Sequence, residues 1–351
     1  MQIRNIFTHL EAVFPPGRAD FLLASSVTRT CEVEGITQAG TPGKIPFTPT
    51  LDGEFITNEK VFSLAEPAET STGVPSPALI TRAVHNLNPF SSIELLDLGL
   101  ETKPQNAILH NFDIEPSDSI ATGAGIDAKD IFLKGMSFGR NYELKGNYLI
   151  LGESTPSGTT TAAASCLALD YVCKNAFSSS FANEPSSIKS ETIRQAIRQT
   201  TQEMSNFEKL SIVSDNMLLF CAGFLLEASR RFHVVLAGGT QMAAVLLIAD
   251  TLREDVLMQL KSDNITLATT AWMVNDPHSD IAHLLSLLSY TPHALYTDFS
   301  FADTEIPILK KYDEGEVKEG VGVGASLAYG ASNNLNNDVI LNEIEILIYG
   351  M

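Results

Sequence analysis

The stretch that decides the fold is Asn147-Tyr-Leu-Ile-Leu-Gly-Glu-Ser-Thr-Pro-Ser-Gly-Thr-Thr-Thr-Ala-Ala-Ala, residues 147–164. An apolar run ends at a glycine, a turn of small residues follows, and an Ala-rich segment begins. The apolar run predicts a buried strand, and residues 157–173 predict a helix. Ligands of such a unit bind beyond the carboxyl end of its strand, so this turn is a candidate site.

The same pattern recurs in the second half of the chain. His233-Val-Val-Leu-Ala-Gly-Gly-Thr predicts a strand and a turn, and residues 241–252 then predict a helix. Further strands are predicted at 93–100, 265–274 and 294–299, with a short helix at 284–288. Strands that alternate with helices predict an α/β fold with a mostly parallel sheet.

Other segments look irregular or polar. Turn-forming residues predict loops at 47–53, 73–77 and 331–338. The Ser-rich segment 178–187 predicts a surface loop, and the polar segment 191–208 predicts a solvated helix.

Composition narrows the class of protein. The chain has 351 residues, 44% hydrophobic content and a formal net charge of -19. Such hydrophobic content predicts a large packed core. No basic stripe is visible, which argues against nucleic-acid binding. The N-terminal residues carry charges at Arg4 and Glu11, and the longest apolar stretch, 242–249, is too short to cross a bilayer, so we expect a cytoplasmic protein.

The four cysteines also suggest a reducing compartment. Cys31, Cys166, Cys173 and Cys221 form no Cys-x-x-Cys pair and no metal-ligand spacing with His. Cys166 and Cys173 are seven residues apart in the predicted helix and would share one of its faces. We interpret them as core residues rather than as a disulfide.

The first chemical candidate is the turn that precedes the predicted helix at 157–173. Free N–H groups and the positive end of the helix dipole form an anion site there. Gly158 permits close backbone approach, and Thr159, Thr160 and Thr161 add hydroxyl donors. No Lys follows Gly158, so the turn is not a nucleoside-triphosphate P-loop. An ordinary capped helix remains the alternative interpretation.

Two further segments carry candidate groups. In Gly238-Gly-Thr-Gln, Thr240 and Gln241 can donate hydrogen bonds to a ligand, although a simple glycine turn explains the segment equally well. In Lys318-Glu-Gly-Val-Gly-Val-Gly, Glu319 lies beside a flexible, backbone-rich loop where a carboxylate can act as a general base. A solvated surface Glu is the alternative.

Weaker candidates remain. Asp276-Pro-His-Ser-Asp could bind a metal but fits a surface turn better. Asp52 and Glu54 could form a pair of acids, although a polar loop is the favoured interpretation. Lys318, Arg82 and Lys134 could each neutralise a phosphate or simply be solvated. Neither a Gly-x-Ser-x-Gly elbow nor a His-Glu-x-x-His motif occurs, so common hydrolases and zinc proteases lack support.

Taken in order, these segments resemble the nicotinate-nucleotide–dimethylbenzimidazole phosphoribosyltransferase family. Gly152-Glu-Ser-Thr-Pro-Ser-Gly-Thr-Thr is similar at its ends and in length to the bacterial Gly-Glu-Met-Gly-Ile-Gly-Asn-Thr-Thr. The divergent archaeal and cyanobacterial-type branch is more similar still. The residues that carry that likeness are Thr48-Pro-Thr-Leu-Asp, Pro75-Ser-Pro-Ala-Leu-Ile-Thr-Arg, Gly238-Gly-Thr-Gln-Met-Ala and Lys318-Glu-Gly-Val-Gly.

The resemblance implies a fold. It is a Rossmann-like three-layer α/β arrangement around a mostly parallel sheet, with a small helical subdomain. Residues 1–351 would form a single domain whose small helical part comes from the N-terminal region and the C-terminal tail. The resemblance also implies a homodimer.

The resemblance implies an activity as well. A phosphoribosyl group would pass from nicotinate mononucleotide to a benzimidazole-like base, giving α-ribazole phosphate and nicotinate for the nucleotide loop of cobalamin. No metal, organic cofactor, nucleic acid or membrane would take part. Glu319 would be the base and Glu153 would orient the ribose or the attacking base. The substrate would be held by Gly158, Thr159, Thr160, Gly238, Gly239, Thr240, Gly320 and Gly322.

Two alternatives stay open. One is a non-catalytic nucleotide- or corrinoid-binding protein on the same scaffold, since a fold does not fix an activity. The other is a hydrolase that releases the base from a nucleotide. The acceptor base is open too, because the bacterial Gln and Ser residues of the base pocket have no clear match in this chain.

Overall fold

The structure is a computed structural model that describes residues 1–7, 11–182 and 187–350. Its eight strands are β1 (Ile3–Asn5), β2 (Ala19–Ser25), β3 (Ser92–Asp97), β4 (Leu109–Asn111), β5 (Tyr148–Ser154), β6 (Val234–Ala237), β7 (Ile265–Thr270) and β8 (His293–Thr297). They form one sheet in the order β1-β8-β7-β6-β5-β2-β3-β4. Every neighbouring pair is parallel except β1 and β8. The predicted α/β fold with a mostly parallel sheet is confirmed.

Helices cover both faces of this sheet. They are α1 (Thr48–Asn58), α2 (Ala78–Leu87), α3 (Ala128–Asn141), α4 (Gly158–Ala168), α5 (Ser187–Ile197), α6 (Asn206–Val213), α7 (Asn216–Ala228), α8 (Thr240–Asp255), α9 (Ala271–Val274), α10 (Ile281–Ser286), α11 (Val323–Ser332) and α12 (Asn337–Gly350). Among the described residues, no helix combines the length and the apolar composition that a membrane crossing requires.

Alternating side chains of the central strands build two separate cores. In β5, Leu149 and Leu151 pack with α3, α4, α7 and α8, whereas Ile150 packs with α1, α2, α11 and α12. A strand with apolar side chains on both faces needs helices on both sides, which produces the predicted three layers.

The two ends of the chain meet on one face of the sheet. Helices α1 and α2 from the N-terminal part contact each other, and α2 also contacts α11 and α12 from the C-terminal part. This placement is compatible with a small helical part built from both ends. The division into one domain with such a part stays a prediction.

Several predicted elements end earlier than the sequence suggested, and for two of them the local structure shows why. The helix predicted over 157–173 stops at Ala168, because Asp170 adopts a left-handed conformation with φ of 65°. The strand predicted over 265–274 stops at Thr270, whose hydroxyl accepts the Met273 N–H and so begins α9. Cys173 therefore lies outside the helix of Cys166. Both thiols are nevertheless buried and free, and they contact each other.

Three predicted loops and one predicted helix are also wrong in part. The segment 47–53 begins helix α1, since Pro49 occupies its first turn, where a missing N–H costs nothing. In the segment 178–187, Ser178 and Ser179 are buried, residues 183–186 lie outside the described residues, and Ser187 begins α5. The predicted helix at 191–208 is interrupted, because Ser205 caps a new helix, α6. The loop predicted at 331–338 shrinks to residues 333–336 between α11 and α12.

Candidate active site

A cavity opens at the carboxyl edge of the sheet, beyond the ends of β5 and β6. It contains about 960 Å³ of space, its open mouth included. Its walls come from the end of β5, the starts of α4 and α8, and residues 316–321. The three segments singled out in the sequence therefore meet in one place.

Most of the predicted site residues line this cavity. Those in its wall are Glu153, Gly158, Thr159, Gly239, Thr240, Glu319 and Gly320. Three others do not line it. Thr160 is buried inside α4. Gly238 directly follows β6 and donates its N–H to the Ala268 carbonyl, and Gly322 is the N-cap residue of α11.

Gly322 shapes the loop that carries Glu319. Its φ is 73°, and a methyl group at this position would lie 2.7 Å from Cζ of Phe21. Gly320 also has a positive φ, of 132°. These conformations favour glycine, and they turn the chain back toward the sheet immediately after Glu319.

The Glu319 carboxyl lies at the junction of this loop and β7. Oε1 accepts a hydrogen bond from the Thr269 hydroxyl at 3.1 Å, and Oε2 accepts the Gly320 N–H at 3.0 Å. Burial raises the pKa of Glu319 to about 8, with a smaller contribution from the charge of Glu153. A carboxyl with this pKa exchanges a proton near neutral pH, as a general base must.

Glu153 lies at the end of β5, directly before the turn. Its Oε2 accepts a hydrogen bond from the Gln241 amide at 2.9 Å. Its backbone carbonyl accepts the Val321 N–H at 2.8 Å, which ties β5 to the Glu319 loop. Burial, followed by the charge of Asp215, raises the pKa of Glu153 to about 8. Two carboxyls with raised pKa values thus share the cavity, an arrangement typical of functional sites.

The turn between β5 and α4 offers hydroxyl groups without partners. Ser157 has a left-handed backbone, with φ of 67°, and precedes the first residue of α4. The hydroxyls of Thr155 and Ser157 are buried and lack a hydrogen-bond partner within the part of the chain that the structure describes. Both residues line the cavity. Buried hydroxyls that lack partners are suited to a polar ligand such as a phosphate.

Lys189 is a cation that no motif in the sequence indicated. It lies on α5, is only 4% exposed, and donates through Nζ to the Ser178 carbonyl and, at 3.2 Å, to Oγ1 of Thr159. Within residues 1–7, 11–182 and 187–350, no carboxylate lies within ion-pair distance of it. Burial, followed by the charge of Lys318, lowers the pKa of Lys189 to about 7. A buried cation beside a helix N-terminus attracts an anion.

Lys318 is a second lysine that donates to the segment around Ser178. Its Nζ donates to the carbonyls of Ser179 at 3.1 Å and Phe181 at 2.8 Å, and it lies 3.7 Å from Oδ2 of Asp276. Asp276 also accepts the Ser178 hydroxyl at 2.8 Å. The segment predicted as a surface turn around Asp276 thus supports the cavity wall from behind.

Asp52 is a second residue whose role the sequence obscured. It accepts hydrogen bonds from the hydroxyls of Ser154, at 2.6 Å, and Ser76, and burial raises its pKa to about 6. It lines the cavity, whereas Glu54 accepts N–H groups of Phe62 and nearby residues and has a structural role. The polar-loop interpretation of this pair is wrong, because both carboxyls lie buried on α1.

The remaining candidates lie elsewhere. Arg82 pairs with Glu59 and Lys134 with Asp130, and neither cation lines the cavity. No cluster of three or more His, Cys, Asp or Glu among the described residues is arranged to hold a metal ion.

Comparison with known proteins gives relatives over nearly the whole chain. A UPF0284 protein of Methanocaldococcus jannaschii is 34% identical over 309 residues, which cover 87% of this chain and 86% of the relative. UPF0284 proteins of Sulfurisphaera tokodaii and Microcystis aeruginosa are 32% and 31% identical, each across 93% of this chain and 92% of the relative. No protein-family model matches the chain.

Two solved structures share the fold. One is a nicotinate-nucleotide-dimethylbenzimidazole phosphoribosyltransferase from Thermus thermophilus, with a TM-score of 0.60 and 17% identity over 94% of this chain and 83% of that one. The other is CobT from the same organism, with a TM-score of 0.58 and 17% identity over 95% of this chain and 84% of that one. The resemblance stated from the sequence is confirmed in the fold and in the archaeal and cyanobacterial relatives. This chain belongs to the UPF0284 family.

Proposed function

We propose that this protein transfers a phosphoribosyl group from nicotinate mononucleotide to a benzimidazole-like base, giving α-ribazole phosphate and nicotinate. The observation that carries the proposal is that Glu153 and Glu319 share one cavity with the turn before α4. The related fold of the Thermus thermophilus phosphoribosyltransferase supports it. In this proposal the protein is a cytoplasmic homodimer.

The phosphate end of the donor would bind at the turn before α4. Thr159 lies at the helix start, the hydroxyls of Thr155 and Ser157 are without partners among the described residues, and Lys189 supplies a cation. A phosphate bound there would neutralise the buried charge of Lys189 and gain charge-assisted hydrogen bonds. The ribose would then extend toward Glu153 and Glu319.

The transfer itself exchanges one nitrogen for another on the anomeric carbon. One nitrogen of the acceptor attacks that carbon, and the bond to the nicotinate nitrogen breaks with its electron pair passing to that nitrogen. Glu319 accepts the proton from the other acceptor nitrogen. Glu153, in its ionised form, stabilises the positive charge that develops on the ribose. The exchange requires no electron acceptor.

The test is a chromatographic assay of purified protein with nicotinate mononucleotide, with and without dimethylbenzimidazole. We expect nicotinate and α-ribazole phosphate to form together and only when the acceptor is present. Glu319→Gln should abolish turnover while donor binding persists. Glu314→Gln, an exposed residue in the same region, is the matched control and should leave turnover unchanged. Absence of product with every benzimidazole or purine acceptor would refute the transferase.

A second candidate is a nucleotide- or corrinoid-binding protein without catalysis. The partnerless hydroxyls of Thr155 and Ser157 favour it, because among the described residues they are free to bind a phosphate whether or not a reaction follows. Calorimetric binding of the same ligands without turnover, across the whole pH range, would select this candidate. Release of nicotinate without an acceptor would instead indicate a hydrolase.

A further inference from the structure

The side chain of Gln241 connects the turn between β6 and α8 with the turn between β5 and α4. It is the second residue of α8, and its Nε2 donates to Oε2 of Glu153 at 2.9 Å. The amide also lies directly on the backbone of Gly158, where a methyl group would come within 2.2 Å of Nε2. A helical side chain near the first turn points back toward the helix N-terminus, which explains how Gln241 reaches over the start of α4.

The hydrogen bond from Gln241 matters because Glu153 lies among other carboxyl groups. The titratable groups that face it are Asp52 from α1, Asp215 at the start of α7, the thiol of Cys221 on α7, and Glu319. The three carboxylates disfavour a further negative charge on Glu153. The Gln241 amide and the Thr155 backbone oppose that effect, because N–H donors favour the ionised form of a carboxyl.

We propose that Gln241 is a positioning residue that orients the Glu153 carboxyl and stabilises its ionised form. The role differs from the one the sequence suggested for Gln241, which was to donate to a ligand. It rests on the proposed function, in which Glu153 must be charged to stabilise the ribose. A side chain at position 158 would push the Gln241 amide away from Glu153, because a methyl group there would lie 2.2 Å from Nε2.

The experiment follows the titration of Glu153 directly, by NMR of protein that carries isotope-labelled glutamate, with Glu153→Gln used to assign the signal. In Gln241→Met we expect the Glu153 midpoint to rise by about one pH unit, since a donor to the charged form is lost. Gln241→Glu keeps the shape and adds a carboxylate, so it should raise the midpoint further. Gly158→Ala should raise it without altering residue 241.

The matched control is Gln195→Met, which removes a glutamine that donates to Glu191 on the exposed surface of α5. It should leave the Glu153 midpoint unchanged. An unchanged midpoint in both folded Gln241 variants would overturn the proposal.

Turnover separates this inference from the proposed function. If the wild type transfers phosphoribosyl groups, the acid limb of its pH profile should move upward in Gln241→Met as the Glu153 midpoint does. If the wild type has no turnover, the proposed function fails, and the NMR titration still decides the role of Gln241.

Discussion

Replacement of Lys189 by methionine should stabilise the free protein and weaken its binding of phosphate. Lys189 is 4% exposed and its pKa falls from 10.5 to about 7. At about 1.36 kcal/mol for each pH unit, its burial costs roughly 4–5 kcal/mol at neutral pH. The two hydrogen bonds it makes offset about 1 kcal/mol each. We therefore expect Lys189→Met to raise the free energy of unfolding by about 1–3 kcal/mol near pH 7.

The pH dependence provides a second test of the same variant. Between pH 7 and 10.5 the unfolded chain holds the Lys189 proton more tightly than the folded protein. The free energy of unfolding of the wild type should therefore increase as the pH rises through this window. Below pH 7 the protein bears the full destabilisation from burial of the protonated Lys189. The advantage of Lys189→Met should shrink as the pH rises from about 7 toward 10.5.

Binding should change in the opposite direction. Loss of one charge-assisted contact should lower the affinity for inorganic phosphate and for nicotinate mononucleotide by about 10- to 100-fold. The assay is denaturant unfolding at several pH values together with calorimetric titration of both ligands. Lys174→Met, an exposed lysine of the neighbouring segment, is the control and should change neither quantity. A less stable Lys189→Met protein that binds phosphate normally would refute the reasoning.

Three further predictions concern the proton and the glycines. Turnover should increase as the pH rises through about 8, because the proposed mechanism needs both Glu319 and Glu153 in their ionised forms, and a flat wild-type profile would contradict these roles. An alanine in a left-handed conformation costs about 1–2 kcal/mol by itself. Gly322→Ala should lower the free energy of unfolding by more than this, since its methyl group would also collide with Phe21. Gly43 also has a positive φ but open space around it, so Gly43→Ala measures the backbone strain alone. Equal losses of stability in the two variants would show that the Phe21 contact costs nothing. Gly135→Ala should cost about 1–3 kcal/mol in denaturant unfolding, because its methyl would lie 2.1 Å from the Phe220 carbonyl where α3 meets α7; Gly350→Ala meets nothing and should be neutral.

The sequence predicted most of the sheet because the central strands are buried on both faces. Continuous apolar runs such as residues 148–151 have no other favourable environment. Prediction from the sequence was less accurate at the ends of helices and strands, because single hydrogen bonds determine where an element stops. Thr270 ends a strand because its hydroxyl accepts the Met273 N–H, and apolar periodicity contains no sign of that bond.

Within the candidate site, the sequence indicated the groups that belong to local motifs. The turn at 152–160 and the loop around Glu319 each combine glycines with polar residues in a short segment. Thr160, Gly238 and Gly322 share those motifs but lie outside the cavity wall, because a local motif predicts the turn and not which of its residues face the cavity.

The sequence by itself determined the α/β class, the two strand–turn–helix units and the residues that stand at their turns, since these depend on local periodicity and backbone preference. Only the tertiary structure decided that Asp52 and Gln241 join Glu153 in the cavity wall, and that Lys189 donates to Thr159 from behind that wall. These contacts span 30 to 102 positions of the chain, and they form because parallel strands bring their carboxyl ends to one edge. The same burial that assembles the groups raises the pKa of the carboxyls and lowers that of the lysine, a property that no single segment carries.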